Sequence, residues 1–271
     1  MITTTHTEVA ELSDDIFQFK QNTFVFLAKQ SFLSRLPGAI LLLLVSSYGY
    51  SLKGQSTIGM SGLLNSPSAF MSEDGTVKLG GNILNKTLTP NVWNYHTINF
   101  FGNITFLPFF EVSLNNTVFD LVHEGRFNNV DRSINLKLRF LKEGRYTPAI
   151  AVGSNDFLTT STLINPGGGN KFFGKTYLAL SKSIRLKEHI ISFHLAYNYI
   201  VSDYLIQKSP LSGGISYSPS FYNKLNLIAE FDTNNFNFGA NVLLFRILYA
   251  QFLMQDLKYP SAGMHLQFNI K

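Results

Sequence analysis

The sequence predicts an all-β chain, an antiparallel up-and-down transmembrane β-barrel of about twelve strands. Three observations carry that prediction. Segments of about ten residues alternate apolar and polar side chains from residue 76 to the C-terminus, separated by Asn, Gly, Pro, Ser and Asp clusters. The connections between them alternate between tight turns and long loops. Aromatic residues gather near the segment ends, where a membrane barrel carries its interfacial girdles.

Composition sets the frame. The chain has 271 residues, 45% of them hydrophobic and only 14% charged, with a mean hydropathy of +0.08. That is too polar for a helical membrane bundle and too sparsely charged for an ordinary soluble domain. Aromatics reach 14%, with 25 Phe and 12 Tyr against one Trp, which favours strands over helices. There is no Cys, which excludes disulfides, thiolate metal sites and Cys nucleophiles. The net charge of +5 is spread singly along the strands without a Lys/Arg run, so no nucleic-acid partner is expected.

At the N-terminus, Ala39 to Val45 is an uninterrupted apolar run, preceded by Lys29 and Arg35 and followed by small residues at Gly49 and Ser51. This is the layout of a secretory signal peptide, and the run is too short to span a bilayer as a helix. Residues 1–51 are therefore expected to be an N-terminal extension with a signal peptide, and residues 52–271 the barrel.

Twelve segments follow, near residues 76–84, 94–104, 107–117, 128–140, 146–156, 173–186, 188–200, 211–219, 222–232, 235–243, 245–256 and 259–270. In the third, Phe110, Val112 and Leu114 oppose Glu111, Ser113 and Asn115. The fourth is the clearest: Ile134, Leu136, Leu138 and Phe140 share one face, and Asp131, Ser133, Asn135, Lys137 and Arg139 the other. In the seventh, Ile191, Phe193, Leu195, Tyr197 and Tyr199 oppose Ser192, His194, Ala196 and Asn198. The last sets Met264, Leu266, Phe268 and Ile270 against Gly263, His265, Gln267 and Asn269. It resembles the closing strand read by barrel-insertion machinery, although Lys271 follows it. Tight links fall around Phe106, Gly144, Lys187, Ser220 and Phe245, and long ones span 85–93, 118–127, 157–172 and 201–210.

A soluble barrel or sandwich with an apolar interior would show the same period. Against it, the polar face is rich in Ser, Asn, Gly and Gln and poor in Lys and Glu. Trp93, Tyr95, Phe106, Phe109, Tyr146, Phe172, Phe173, Tyr199, Tyr204, Phe221, Tyr222 and Tyr259 also stand near segment ends. Strands that expose apolar side chains to lipid must close, because every backbone polar group there needs a partner within the structure.

With the apolar face on lipid, Glu111, Asp131, Lys137, Arg139, Lys175, His194 and Glu230 line the lumen, with Asp156 and Asp232 near strand ends. Glu111 is expected to pair with Lys137 or Arg139 on the adjacent strand, filling or narrowing the pore. The other reading is a polar track for a sugar or small solute, with Tyr177, Tyr249, Asn99 and Asn135 along it. Catalysis is not expected. Ser192 and His194 share a face two residues apart, but no third member can be assigned, and Glu111 with Glu230 is not legible as a glycosidase pair. The six His lack ligand spacing, so no metal is expected, nor any cofactor. The cluster Asn165-Pro166-Gly167-Gly168-Gly169-Asn170 reads as an outside loop and not as a phosphate loop.

Four stretches carry a family resemblance. They are Gly62-Leu63-Leu64-Asn65-Ser66-Pro67-Ser68-Ala69 followed by Asp74-Gly75; Leu107-Pro108-Phe109-Phe110-Glu111 with Asn116-Thr117; Asp131-Arg132-Ser133 leading to Lys137; and Tyr146-Thr147-Pro148-Ala149-Ile150-Ala151-Val152-Gly153 with Asp156, then Tyr177 and Ser181-Lys182. In order and spacing the region 59–182 resembles the YjbH-like family of exopolysaccharide-associated outer-membrane proteins. The family's Arg-Tyr pair is replaced by Leu114-Asn115-Asn116-Thr117. The resemblance implies a barrel in the outer membrane of a Gram-negative bacterium, tied to secretion or assembly of a surface polysaccharide, with polysaccharide or export proteins as partners. It marks Pro108, Glu111, Asp131, Arg132, Lys137, Pro148, Gly153, Asp156 and Lys182 as motif positions. The rival expectations are a general diffusion pore and a lipase-like outer-membrane hydrolase.

Overall fold

The computed structural model describes residues 54–90, 96–119, 128–159 and 171–271. The apolar run at 39–45, the aromatics Trp93 and Tyr95, and the glycine cluster at 165–170 lie outside the described residues. Twelve strands follow one another: β1 (Thr76–Leu84), β2 (Thr97–Phe106), β3 (Phe110–Phe119), β4 (Asn128–Leu141), β5 (Ala149–Thr159), β6 (Lys175–Leu186), β7 (His189–Ile200), β8 (Leu211–Ser218), β9 (Leu225–Phe231), β10 (Phe236–Leu244), β11 (Leu248–Gln255) and β12 (Tyr259–Asn269). Each pairs antiparallel with its sequence neighbours. The ring closes where β1 meets β12, in register from Thr76↔Asn269 to Ile83↔Ala262. A single 3₁₀ turn, Lys86–Leu88, is the only helical element among the described residues, capped by the Asn85 side chain, which accepts from the Thr87 amide.

The side-chain alternation is inside-out relative to a soluble barrel. On β3 and β4 the pairs Glu111↔Lys137, Ser113↔Asn135, Asn115↔Ser133 and Thr117↔Asp131 face inward and are buried. Between them, Val112↔Leu136 and Leu114↔Ile134 face outward. Leu114 is 59% exposed, Leu195 51% and Met264 63%, while Lys78, Asn99 and Glu111 are fully buried. In water such a continuous apolar exterior would be unfavourable; against hydrocarbon it is the stable arrangement, with every backbone group of the closed sheet paired.

The connections sort by end. Tight links at 107–109, 187–188 and 245–247, with 142–148 and 219–224, define a turn end. The strand ends at 84 and 97, 119 and 128, 159 and 175, and 200 and 211, between which the longer stretches of sequence fall, share the other, the loop end, with two short turns at 232–235 and 256–258. Phe106, Phe109, Tyr146, Phe221 and Phe245 are exposed at the turn end, and Tyr197, Tyr199, Phe236 and Tyr259 at the loop end. Tyr222 departs from the expected girdle. It is buried, and its hydroxyl donates to the Leu243 carbonyl at 3.1 Å, tying the β8–β9 turn to β10.

A feature with no strand periodicity occupies the interior. Residues 54–73, which lead into β1, form a strap inside the barrel, folded back on itself by the bridges Gln55↔Ser61 and Gly62↔Pro67. Its reversals are closed by Ser56 N–H to Met60 O at 2.8 Å and Leu63 N–H to Ser66 O at 3.0 Å. Met60, Leu63, Leu64, Ala69, Phe70 and Met71 are buried, giving an otherwise polar lumen a small apolar centre. Gly59 sits at φ +80° beneath the Phe101 ring, 2.5 Å from its Cγ for any Cβ placed there, so both conformation and space require glycine.

Candidate functional site: the strap and the mouth above it

Inward-facing strand residues hold the strap largely through its backbone. Near the loop end, the Glu230 carboxylate accepts from three successive amides, Leu64 at 3.0 Å, Asn65 at 2.7 Å and Ser66 at 3.1 Å, and from the Asn237 side chain at 2.8 Å. Consecutive amides converging on one anion form a nest, and charge-assisted bonds of this kind are stronger than neutral ones. Nearer the turn end, Glu111 Oε1 accepts from Ser61 N–H at 2.8 Å, Ser61 Oγ at 2.9 Å and Asn103 Nδ2 at 2.8 Å. Lys137 Nζ donates to the carbonyls of Ser61 and Phe70, both at 2.7 Å, and stands 3.7 Å from Glu111 Oε2. Lys78 Nζ donates to Gln55 Oε1 at 2.7 Å and Ser61 Oγ at 3.2 Å. Tyr249, stacked on His265 with centroids 4.2 Å apart, accepts the Gln55 amide at 3.0 Å. Asn82 donates to the Thr57 carbonyl, and Asn115 and Asn135 to that of Ile58.

The interior charges thus do more than pair with one another. Glu111 and Lys137 pair across β3 and β4, but Arg139 does not join them: half-buried at the turn end, its guanidinium donates to the Pro108 carbonyl and braces the β2–β3 turn. Asp131 is buried opposite Thr117. Asp156 sits at φ +51° where the β4–β5 register shifts; its amide donates to Asn135 Oδ1 at 2.7 Å and its carboxylate accepts the Phe173 amide at 3.2 Å. This bulge turns Asp156 toward the connection that leads into β6.

The other motif positions serve the wall. Gly153 pairs in register with Tyr177, whose ring lies where a Cβ would stand. Pro148 precedes the first residue of β5. Lys182 caps the β4–β5 turn, donating to the Gly144 and Arg145 carbonyls and pairing with Glu143 at 3.5 Å. Arg132 is exposed on the outer face toward the loop end.

Ser192 and His194, which share a face in the sequence pattern, are not hydrogen-bonded to each other. Alternation along β7 puts the two on one face but spaces them apart, and each finds a nearer partner across strands: Ser192 Oγ lies 2.9 Å from Ser183 Oγ, and His194 Nδ1 lies 2.9 Å from Ser181 Oγ, which accepts the Ala69 amide of the strap. Tyr177, Tyr249 and Asn135, read from sequence as stations along a track, are engaged with the wall or the strap. Among the described residues no group of three or more His, Asp or Glu is placed to hold a metal.

Two spaces lie on opposite sides of the strap. At the turn end is a crevice of about 20 Å³ lined by Gly54, Phe70 and His194. At the loop end a cavity of about 230 Å³ has Ile58 and Asn65 of the strap at its base, with Asn155, Phe173, Lys175 and Asp232 around it.

Sequence reasoning missed the strap. The stretch Gly62 to Ala69 carried only a motif signal, and its small residues show no period that would announce an element.

Fold and interior together define a lipid-facing β-barrel whose lumen is filled by its own N-proximal segment. Residues 54–203 match the family described as "YjbH: Exopolysaccharide biosynthesis protein YbjH", and the chain belongs to this family. The match spans the strap and β1 to β7. No curated protein sequence matches the chain. Among solved structures it is similar to outer membrane phospholipase A from Escherichia coli, at 10% identity and a TM-score of 0.36 over 74% of this chain and 94% of that one. It is also similar to the Salmonella typhi outer membrane phospholipase dimer with bound calcium, at 10% identity and a TM-score of 0.33 over 85% of this chain and 96% of that one.

Proposed function

We propose that this chain is a plugged outer-membrane β-barrel of a Gram-negative envelope that serves the secretion or assembly of a surface exopolysaccharide and catalyses no reaction itself. The observation that carries this reading is the strap: a segment from within the family match fills the lumen and is held by the buried carboxylates Glu111 and Glu230. A general diffusion pore has no use for a lumen so occupied, since conduction needs a continuous polar path. The partners implied are outer-membrane lipid along the apolar exterior, the barrel-insertion machinery, and polysaccharide or its export proteins at the barrel ends.

The test is a deletion strain complemented with the wild-type gene. Surface polysaccharide is quantified, the protein is located by membrane fractionation with heat-modifiability on a gel, and the mature N-terminus is sequenced. The expected result is a heat-modifiable outer-membrane band beginning at about residue 51, with loss of surface polysaccharide on deletion and recovery on complementation. A soluble periplasmic product, or unchanged polysaccharide in the deletion strain, overturns the reading.

A further inference from the structure

A hollow of about 470 Å³ lies on the outer face of the wall, across β2 to β5. One outward row of register partners runs along it, Gly102, Leu114, Ile134 and Leu158. Gly102 leaves a gap in that row: a Cβ built on it would meet the end of the Leu79 side chain at 3.3 Å and otherwise open space. Glycine inside a strand weakens the sheet, and it often marks a place where another molecule comes close to the main chain. One row nearer the loop end stand Phe100, Asn116 and Arg132, also in register. Arg132 lines the hollow and is exposed, and among the described residues its guanidinium has neither a hydrogen-bond acceptor nor a carboxylate partner.

The exterior meets hydrocarbon, so whatever fills this hollow comes from the membrane. Its volume falls within the about 300–1,000 Å³ of ligand pockets, and its apolar row suits an acyl chain. A cation on the lipid side is costly at the bilayer midplane and nearly free close to the surface. There it calls for an anion, and a guanidinium binds phosphate through two parallel N–H···O bonds. The order is that of a lipid: the charge lies nearer the loop end, and the apolar hollow lies deeper. In barrels of this kind the longer loops face out of the cell, and the leaflet on that side of a Gram-negative outer membrane is built of phosphorylated glycolipid. We infer that Arg132 and the hollow at Gly102 form a lipid site for that glycolipid, with a phosphate on Arg132 and one acyl chain along Gly102, Leu114 and Ile134. The inference takes from the proposed function only its outer-membrane location and is independent of the polysaccharide.

The test is native mass spectrometry of the full barrel in detergent, titrated separately with bisphosphorylated lipid A, with the same lipid stripped of its phosphates, and with phosphatidylglycerol. The wild type is expected to retain lipid A in preference to the other two. Arg132→Gln is expected to weaken lipid A binding about tenfold, the loss of one charge-assisted partner, and to leave the stripped lipid unaffected. Gly102→Leu fills the hollow without touching the charge and is expected to weaken both forms of lipid A; it keeps the test available if Arg132→Gln fails to insert. Arg145→Gln removes an exposed cation at the turn end and is expected to change nothing. Wild-type affinity in both Arg132→Gln and Gly102→Leu, an equal loss in Arg145→Gln, equal retention of phosphatidylglycerol, or no binding to the wild type overturns the site. The deletion strain decides the polysaccharide reading separately: unchanged polymer in that strain removes the reading and leaves the lipid site standing.

Discussion

Replacing Glu230 with alanine removes the acceptor shared by the amides of Leu64, Asn65 and Ser66. Those three N–H groups then face a lumen without a substitute acceptor, at about 1–3 kcal/mol each, or about 3–9 kcal/mol together. The Glu111, Lys137 and Lys78 contacts at the other anchor remain, and water entering from the loop-end cavity restores part of the loss, so the lower figure governs. About 3 kcal/mol raises the population of strap-released barrels roughly 100-fold. Planar-bilayer recording is expected to show a silent wild type and a flickering Glu230→Ala conductance, with faster hydrogen exchange at residues 64–66. Glu230→Gln, which keeps one acceptor oxygen but turns an amide group toward the donors, is expected to fall between. An unchanged exchange rate at 64–66 together with a silent Glu230→Ala trace refutes the nest as the strap's loop-end anchor.

Further expectations concern the other anchor and the wall. Lys137→Met leaves Glu111 buried without its nearest cation and is expected to destabilise the barrel by about 3–5 kcal/mol in urea unfolding; Glu111→Gln with Lys137→Met should recover part of that loss, and equal instability of single and double variants would count against pairing. Gly153→Val forces a side chain into the space of the Tyr177 ring and is expected to deplete the heat-modifiable band in outer-membrane fractions, whereas Gly153→Ala should deplete it less. Leu195→Arg places a charge on the exposed apolar face midway along β7, at an expected cost of about 2–4 kcal/mol if that position lies at the bilayer midplane. Lowered stability in lipid vesicles is the readout, and wild-type stability would contradict the outward assignment of β7.

The wall was legible because its rule is local. Period two assigns each strand residue to a face, antiparallel order makes β3 and β4 neighbours, and the pairing of Glu111 with Lys137 or Arg139 follows from those facts; the register of the two strands then selects Lys137. The strap was not legible for the opposite reason. Its anchors lie far off in sequence, Leu64 and Glu230 being 166 positions apart, and what Glu230 recognises is main chain, common to almost every residue. A carboxylate that binds amides imposes no side-chain pattern on its target, so residues 62–69 carry little trace of the role beyond small size and turn-forming chemistry. Arg139 and Tyr222 were misjudged more modestly. Each follows the alternation, or the aromatic habit of strand ends, as far as the wall extends, and then bends to satisfy a carbonyl of a neighbouring turn or strand.

The seam between β1 and β12 gains meaning from the segment just ahead of it. The strap runs directly into β1, and β1 pairs with β12, so the segment that fills the lumen is continuous with the strand at which the ring closes. Asp74 and Lys271 form an ion pair across that junction, and the Ile270 amide donates to the Gly75 carbonyl, fastening the start of β1 to the end of β12 at the point of closure. Lumen and wall are in this sense one piece of chain: Glu111, Lys137 and Glu230 hold a segment whose far end is already fixed in the seam, so the filling is tethered to the cylinder that contains it.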